Sequence, residues 1–107
     1  MARQTREPGV ADIMWQQIPV RVKMSMGARQ AAGDNEAGYL HFTVGPTHRK
    51  PFKVRMQYDR GQDSYKVELI RCDLRTGQVE VLESIDDVYF DQLGDILIGW
   101  EVRHLVN

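Results

Sequence analysis

Cysteine is almost missing from this chain. Cys72 is the only one, which excludes an internal disulfide and any multi-cysteine zinc site and fits a reduced, cytoplasmic setting. Long apolar runs are missing too. None approaches the roughly 20 residues that span a bilayer, and residues 1–17, MARQTREPGVADIMWQQ, lack the uninterrupted apolar stretch of a secretion signal, so no membrane partner is expected. Aromatic residues make up only 8% and the net charge is −1, so the total charge alone points to neither a nucleic-acid binder nor an acidic solvating chain.

What is present suffices for one domain. A chain of 107 residues, 42% hydrophobic and 27% charged, has the composition of a single folded unit with a modest core. That unit is expected over residues 10–107, behind a polar tail at 1–9 that ends in Pro8-Gly9. The charge is unevenly placed. Residues 1–55 hold nine Lys/Arg against four Asp/Glu, a balance of +5, and residues 56–107 hold five against eleven, a balance of −6. One basic and one acidic face are implied.

Periodicity is clearest from Pro51 to Ile85. Phe52, Val54, Met56 and Tyr58 alternate with Lys53, Arg55 and Gln57; Tyr65, Val67 and Leu69 alternate with Lys66, Glu68 and Ile70; Val79 and Val81 alternate with Glu80 and Leu82. A period of two predicts three strands, and the Asp and Gly residues of Asp59–Asp63 and Leu74–Gly77 suit the turns between them. Val20–Met26 also alternates, with Val20, Val22, Met24 and Met26 on one side and Arg21, Lys23 and Ser25 on the other, and is expected as the first strand. Tyr39–Val44 is expected as the second. Between them Gly27–Gly38 reads as a long connection, a candidate functional loop or a plain crossover.

Two helices complete the order. Val10–Ile18 is a short one with Ile13, Met14 and Trp15 partly buried, ended by Pro19. In Asp86–Val102 the apolar residues Val88, Leu93, Ile96, Leu97 and Trp100 recur at helical intervals, with Asp86 and Asp87 placed as caps and Arg103 and His104 in the last turn. The expected fold is α+β: a five-stranded, mostly antiparallel sheet with the C-terminal helix across one face.

The segments VKMSMGAR, YLHFTVG, SYKVELIR and DDVYFDQLGDIL, with Gly27-Ala28-Arg29 after the first extended segment and Val88-Tyr89-Phe90-Asp91-Gln92-Leu93 entering the last helix, resemble those of a group of small bacteriophage, prophage and mobile-element proteins. The likeness spans roughly residues 20–98. It implies a mobile-element origin and a bacterial or phage-infected cytoplasm, and no particular chemistry.

Two constellations carry candidate chemistry. If the first three extended segments are neighbours, the side away from the core displays Arg21 and Lys23, then Tyr39 and His41, then Lys53 and Arg55, with Lys66 beyond and Arg49 and Lys50 in the adjoining loop. Cations attract phosphates and flat rings stack on bases, so this set is a candidate surface for single-stranded nucleic acid. The plain alternative is the polar outer side of a one-sided sheet. The other set is Asp87, Asp91 and Asp95, at i, i+4 and i+8 on the expected helix. Like charges at that spacing repel, which suits a basic protein partner or a divalent cation, against the alternative of a solvated helix face.

Catalytic and cofactor patterns are absent from the sequence. His41, His48 and His104 lie far apart, without zinc-like spacing, so no metal is expected. Gly27, Gly33 and Gly38 match no phosphate-cradling fingerprint, and no other cofactor motif is found. Ser25, Ser64 and Ser84 have no nucleophile-elbow context, and a strand-borne Cys72 reads as a small hydrophobe. Trp15 and Trp100 are read as core residues, with Trp15, if exposed, pointing to a partner contact. The expectation is a non-enzymatic binding protein contacting nucleic acid through the basic sheet face. The alternative is an inhibitor or adaptor that binds a host protein through the acidic residues or a sheet edge, where two copies of the chain can also pair.

Overall fold

The computed structural model describes residues 9–47 and 49–105; the tail expected at 1–9 lies outside them except for Gly9, as does His48. Helix α1, Val10–Gln17, forms where the sequence places it, opened by the Gly9 carbonyl accepting from Ile13 at 3.0 Å and closed before Pro19. It buries Met14 in the core and lays Trp15 edge-on against Phe42, ring centroids 5.2 Å apart.

Val20–Met26 is a helix, α2, and not the expected first strand. Alternation allows both readings, because Val22 and Met26 are also four residues apart, the spacing of one helix face. Exposure separates them. Val22 and Met26 are 4% and 2% exposed, whereas Val20 and Met24 are 66% and 76%; on a strand all four would share one side. Pro19 precedes the first helical residue, and Gly27 ends the helix in the left-handed region at φ 68°, while Ala28 N–H closes back onto the Lys23 carbonyl at 2.8 Å.

The first strand instead lies inside the stretch expected as a connection. Strand β1, Arg29–Asp34, pairs antiparallel with β2, Tyr39–Val44. Its side chains are almost wholly exposed, so it carries no apolar alternation to announce it. Gly33 is required there: a Cβ would lie 2.5 Å from the Tyr39 carbonyl oxygen and 2.7 Å from the Ala11 Cβ, so α1 rests directly on this edge.

The meander follows as expected. β3, Phe52–Asp59, β4, Ser64–Cys72, and β5, Val79–Val88, complete a five-stranded sheet in the order β1-β2-β3-β4-β5, each strand antiparallel to the next. Three of its turns share one device. The Oδ1 atoms of Asp34, Asp59 and Asp73 each accept from two backbone N–H groups just ahead in the chain, at 2.9–3.3 Å.

β5 runs further than expected, because Val88 stays in register opposite Tyr65. Asp86 and Asp87 therefore end a strand and do not cap a helix. The C-terminal helix starts with a 3₁₀ turn at Phe90–Gln92, continues as α3, Leu93–Trp100, and ends in a π turn at Glu101–Leu105. Gln92 opens it, its side-chain oxygen accepting from Tyr89 N–H at 2.8 Å.

All three helices pack on one side of the sheet. Met14, Ile18, Val22, Met26, Leu93, Leu97 and Trp100 join Leu40, Phe42, Val44, Val54, Met56, Val67 and Leu69 in a single buried cluster. Among the described residues no helix covers the other side.

Candidate nucleic-acid interface

Register turns the strands into rows on the uncovered side. Tyr39 lies opposite Gln57, which lies opposite Lys66; His41 opposite Arg55, Glu68 and then Ser84; Thr43 opposite Lys53, Ile70 and then Val81. The expected grouping of Tyr39, His41, Lys53, Arg55 and Lys66 is thus present on one surface. The rings of Tyr39 and His41 are neighbours, centroids 5.5 Å apart and tilted by 43°.

Arg21 and Lys23 are not part of it. They belong to α2, on the helix side, because Val20–Met26 is helical. Lys23 sits 4.4 Å above the Trp15 ring and donates to the Trp15 carbonyl at 3.0 Å. Trp15 is only half-buried, and this contact together with Phe42 accounts for it.

A cation the sequence reading missed takes their place. Arg29, at the start of β1 opposite Thr43, donates through Nη1 to the carbonyls of Gly27 and Gly45, both at 2.8 Å. With Gln30, Thr43, Thr47 and Lys53 it lines a groove of about 340 Å³. Its signal in the sequence was the left-handed Gly27 that releases the chain into a strand, visible only once VRVKMSM is read as a helix.

The cations of this face are not equally available. Arg55 holds Glu68, with Nε and Nη2 at 2.9 and 2.8 Å from the same Oε1, and Ser84 completes the set at 3.4 Å from Oε2. Lys53 has no carboxylate partner among the described residues. It acts on His41 instead: burial first, and then the Lys53 charge, hold the imidazole below its ordinary pKa. His41 at neutral pH is therefore an uncharged ring, suited to stacking more than to ion pairing.

The other expected residues lie apart. Arg49 and Lys50 are at the end of the sheet near the β4–β5 turn, where Lys50 Nζ is 4.0 Å from Asp73, the Lys50 carbonyl accepts from Arg71, and the Arg49 carbonyl accepts from Leu74 N–H. Asp87, Asp91 and Asp95 do not share a helix face: Asp87 is in β5 at φ 58°, Asp91 in the 3₁₀ turn and Asp95 in α3. No group of three or more His, Cys, Asp or Glu side chains among the described residues is arranged to hold a metal ion. His104 is engaged elsewhere, its Nε2 2.8 Å from Glu83 Oε2, with Arg103 Nε at 3.2 Å from the same oxygen. These contacts, the histidine's first, hold the Glu83 carboxyl below its usual pKa and tie the C-terminal helix to β5. Cys72 is half-buried at the end of β4 opposite Val79. No helix among the described residues is long and apolar enough to cross a membrane.

No family model, no curated protein and no solved structure matches the chain. The residues of the site therefore carry the functional reading alone.

Proposed function

We propose that this chain is a non-enzymatic binding module that engages single-stranded nucleic acid on the uncovered side of its sheet. The observation that carries the reading is the adjoining placement of two rings, Tyr39 and His41, and of Lys53, a cation without a carboxylate partner among the described residues, on a side of the sheet that no described helix covers. Bases would stack on the rings. Phosphates would meet Lys53 and Lys66, and the groove beside Arg29 would take the next one along the backbone. Arg55 serves this reading less as a phosphate ligand than as a brace, since Glu68 already neutralises it. With only a few cations on this face, binding of modest affinity and little sequence preference is expected.

The test is a titration of a fluorescein-labelled oligothymidylate against the full chain at increasing salt, followed by anisotropy. Affinity should fall with ionic strength, and Lys53→Glu should flatten the logarithmic salt slope by about 0.7 for each phosphate that is no longer neutralised. Tyr39→Ala should weaken binding by about 1–3 kcal/mol if a base stacks there. Absence of saturable binding at low salt would remove this reading.

A further inference from the structure

On the helix side of the sheet, away from the surface just described, a second groove of about 610 Å³ lies between the end of α1, the β3–β4 turn and the start of the C-terminal helix. We propose that it binds an arginine side chain of an extended basic peptide.

Its walls are aromatic. Tyr65 forms the buried part, its hydroxyl donating to Gln17 Oε1, while Tyr89 and Phe90 stand 47% and 62% exposed. The backbone that carries these two rings is held in position. Val88, 1% exposed, anchors the strand end opposite Tyr65; Asp87, at φ 58°, turns the chain just before it; and the Gln92 side chain grips Tyr89 N–H. Two large rings side by side, exposed on an anchored backbone, mark a surface suited to a partner.

Its rim is acidic and amide-bearing. Asp63 and Asp91 contribute carboxylates, Gln62 and Gln92 contribute amides, and no cation among the described residues lines the groove. Asp63 Oδ1 already accepts from the Tyr58 hydroxyl at 2.6 Å, which leaves Oδ2 for a ligand. The combination selects the occupant. Carboxylates repel a phosphate backbone, and a purely apolar helix would leave them buried and unpaired. A guanidinium matches both parts, because its flat face stacks on rings while its N–H edge meets carboxylates in paired geometry.

The chain makes the same kind of contact internally. Lys23 lies 4.4 Å over Trp15, Arg71 4.6 Å over Phe52 and Arg60 5.7 Å over Tyr58. Among the described residues no cation lies over Tyr89 or Phe90. Arg60, in the β3–β4 turn that borders the groove, is committed to Tyr58 and to the Glu36 carbonyl at 2.9 Å. The groove is therefore open to an arginine from outside.

The experiment is an amide NMR titration of the isotope-labelled full chain with the peptide acetyl-Gly-Arg-Arg-Gly-amide, and with the same peptide carrying citrulline, the neutral isostere of arginine. Saturable shifts at the amides of Asp63, Tyr89, Phe90 and Gln92 are expected with arginine and not with citrulline. Phe90→Ala, and separately the pair Asp63→Asn with Asp91→Asn, should each weaken binding by at least about threefold, as removal of a cation–ring or charge-assisted interaction implies. Both variants change exposed side chains, and an unaltered spectrum at core amides such as Val54 and Leu69 confirms that the fold is kept. Lys53→Glu should leave peptide binding unchanged. Equal shifts with citrulline, no saturable shift at these amides, or a weakening with Lys53→Glu as large as with Phe90→Ala would each overturn the proposal.

Discussion

The two sides of one sheet obey different rules. On the covered side Leu40, Phe42, Val44, Val54, Met56, Val67 and Leu69 are each at most 3% exposed and interlock with three helices. On the other side, one residue along in every strand, His41, Lys53, Arg55 and Glu68 remain half-buried by their neighbours alone. Packing leaves the first side little freedom, since close-packed interiors respond to a single methylene. The second side buries Thr43 and Ile70, at 4% and 5% exposed, but its charged residues answer mainly to cross-strand pairing, so its charge can change without loss of the fold. A surface of this kind can carry a function that the core does not specify.

Substitutions can break that contrast or sharpen it. Phe42→Ala, on the covered side, should cost about 3–5 kcal/mol in urea unfolding. Gly33→Val should cost about 1–3 kcal/mol, because the added side chain meets the Tyr39 carbonyl and the Ala11 methyl at the α1–β1 contact; a neutral outcome would mean that α1 is not seated on that edge. A double-mutant cycle on Arg55 and Glu68 should return a coupling of about 0.2–1 kcal/mol. Lys53→Glu should shift stability by no more than about 0.5 kcal/mol while it alters oligonucleotide binding, and a large stability loss there would erase the distinction between the two sides.

Acidification supplies the mildest probe. His41 is held below its ordinary pKa, so the folded state prefers the neutral ring, and this contribution is complete above the usual histidine range and declines as pH falls through it. Glu83 and Asp73 are also held low, the first by His104 and the second chiefly by the Arg75 N–H, so their contributions persist to lower pH and are lost as pH falls below the usual carboxylate range. Thermal melting as a function of pH should therefore decline in two stages, and His41→Gln should abolish the upper one only.

Strands β2, β3 and β4 were legible because one side of each, or most of it, is buried, and burial writes a period of two into the chain; β5 is mostly exposed and was announced by the Val79–Leu82 alternation after the Leu74–Gly77 turn. Two elements were exchanged at the start for the opposite reason. Strand β1 buries almost nothing, so Arg29–Asp34 carries no pattern, while α2 is short enough that its one buried pair, Val22 and Met26, is hidden inside an alternation with the exposed Val20 and Met24. Helix entry was misplaced by four residues, from Asp86 to Phe90, because a strand extended by pairing leaves no local mark. The candidate surface survived in part: residues on β2 and β3 kept their parity, and those assigned through α2 moved to the other side with it. The Tyr65, Tyr89 and Phe90 groove was not legible, since it joins the end of α1, the β3–β4 turn and the start of the C-terminal helix, which lie far apart in the chain.

Sequential strand order has a kinetic meaning. Each strand pairs with its immediate successor, so the sheet can zip from any hairpin, with the Asp34, Asp59 and Asp73 turns as ready starting points on the microsecond scale of about 1–10 μs per hairpin. The distant partners, α1 at one end of the chain and the C-terminal helix at the other, have to find an assembled platform. Docking of those ends is then a step distinct from strand pairing, and slower refolding of Leu97→Ala in stopped-flow fluorescence would place it at the folding barrier.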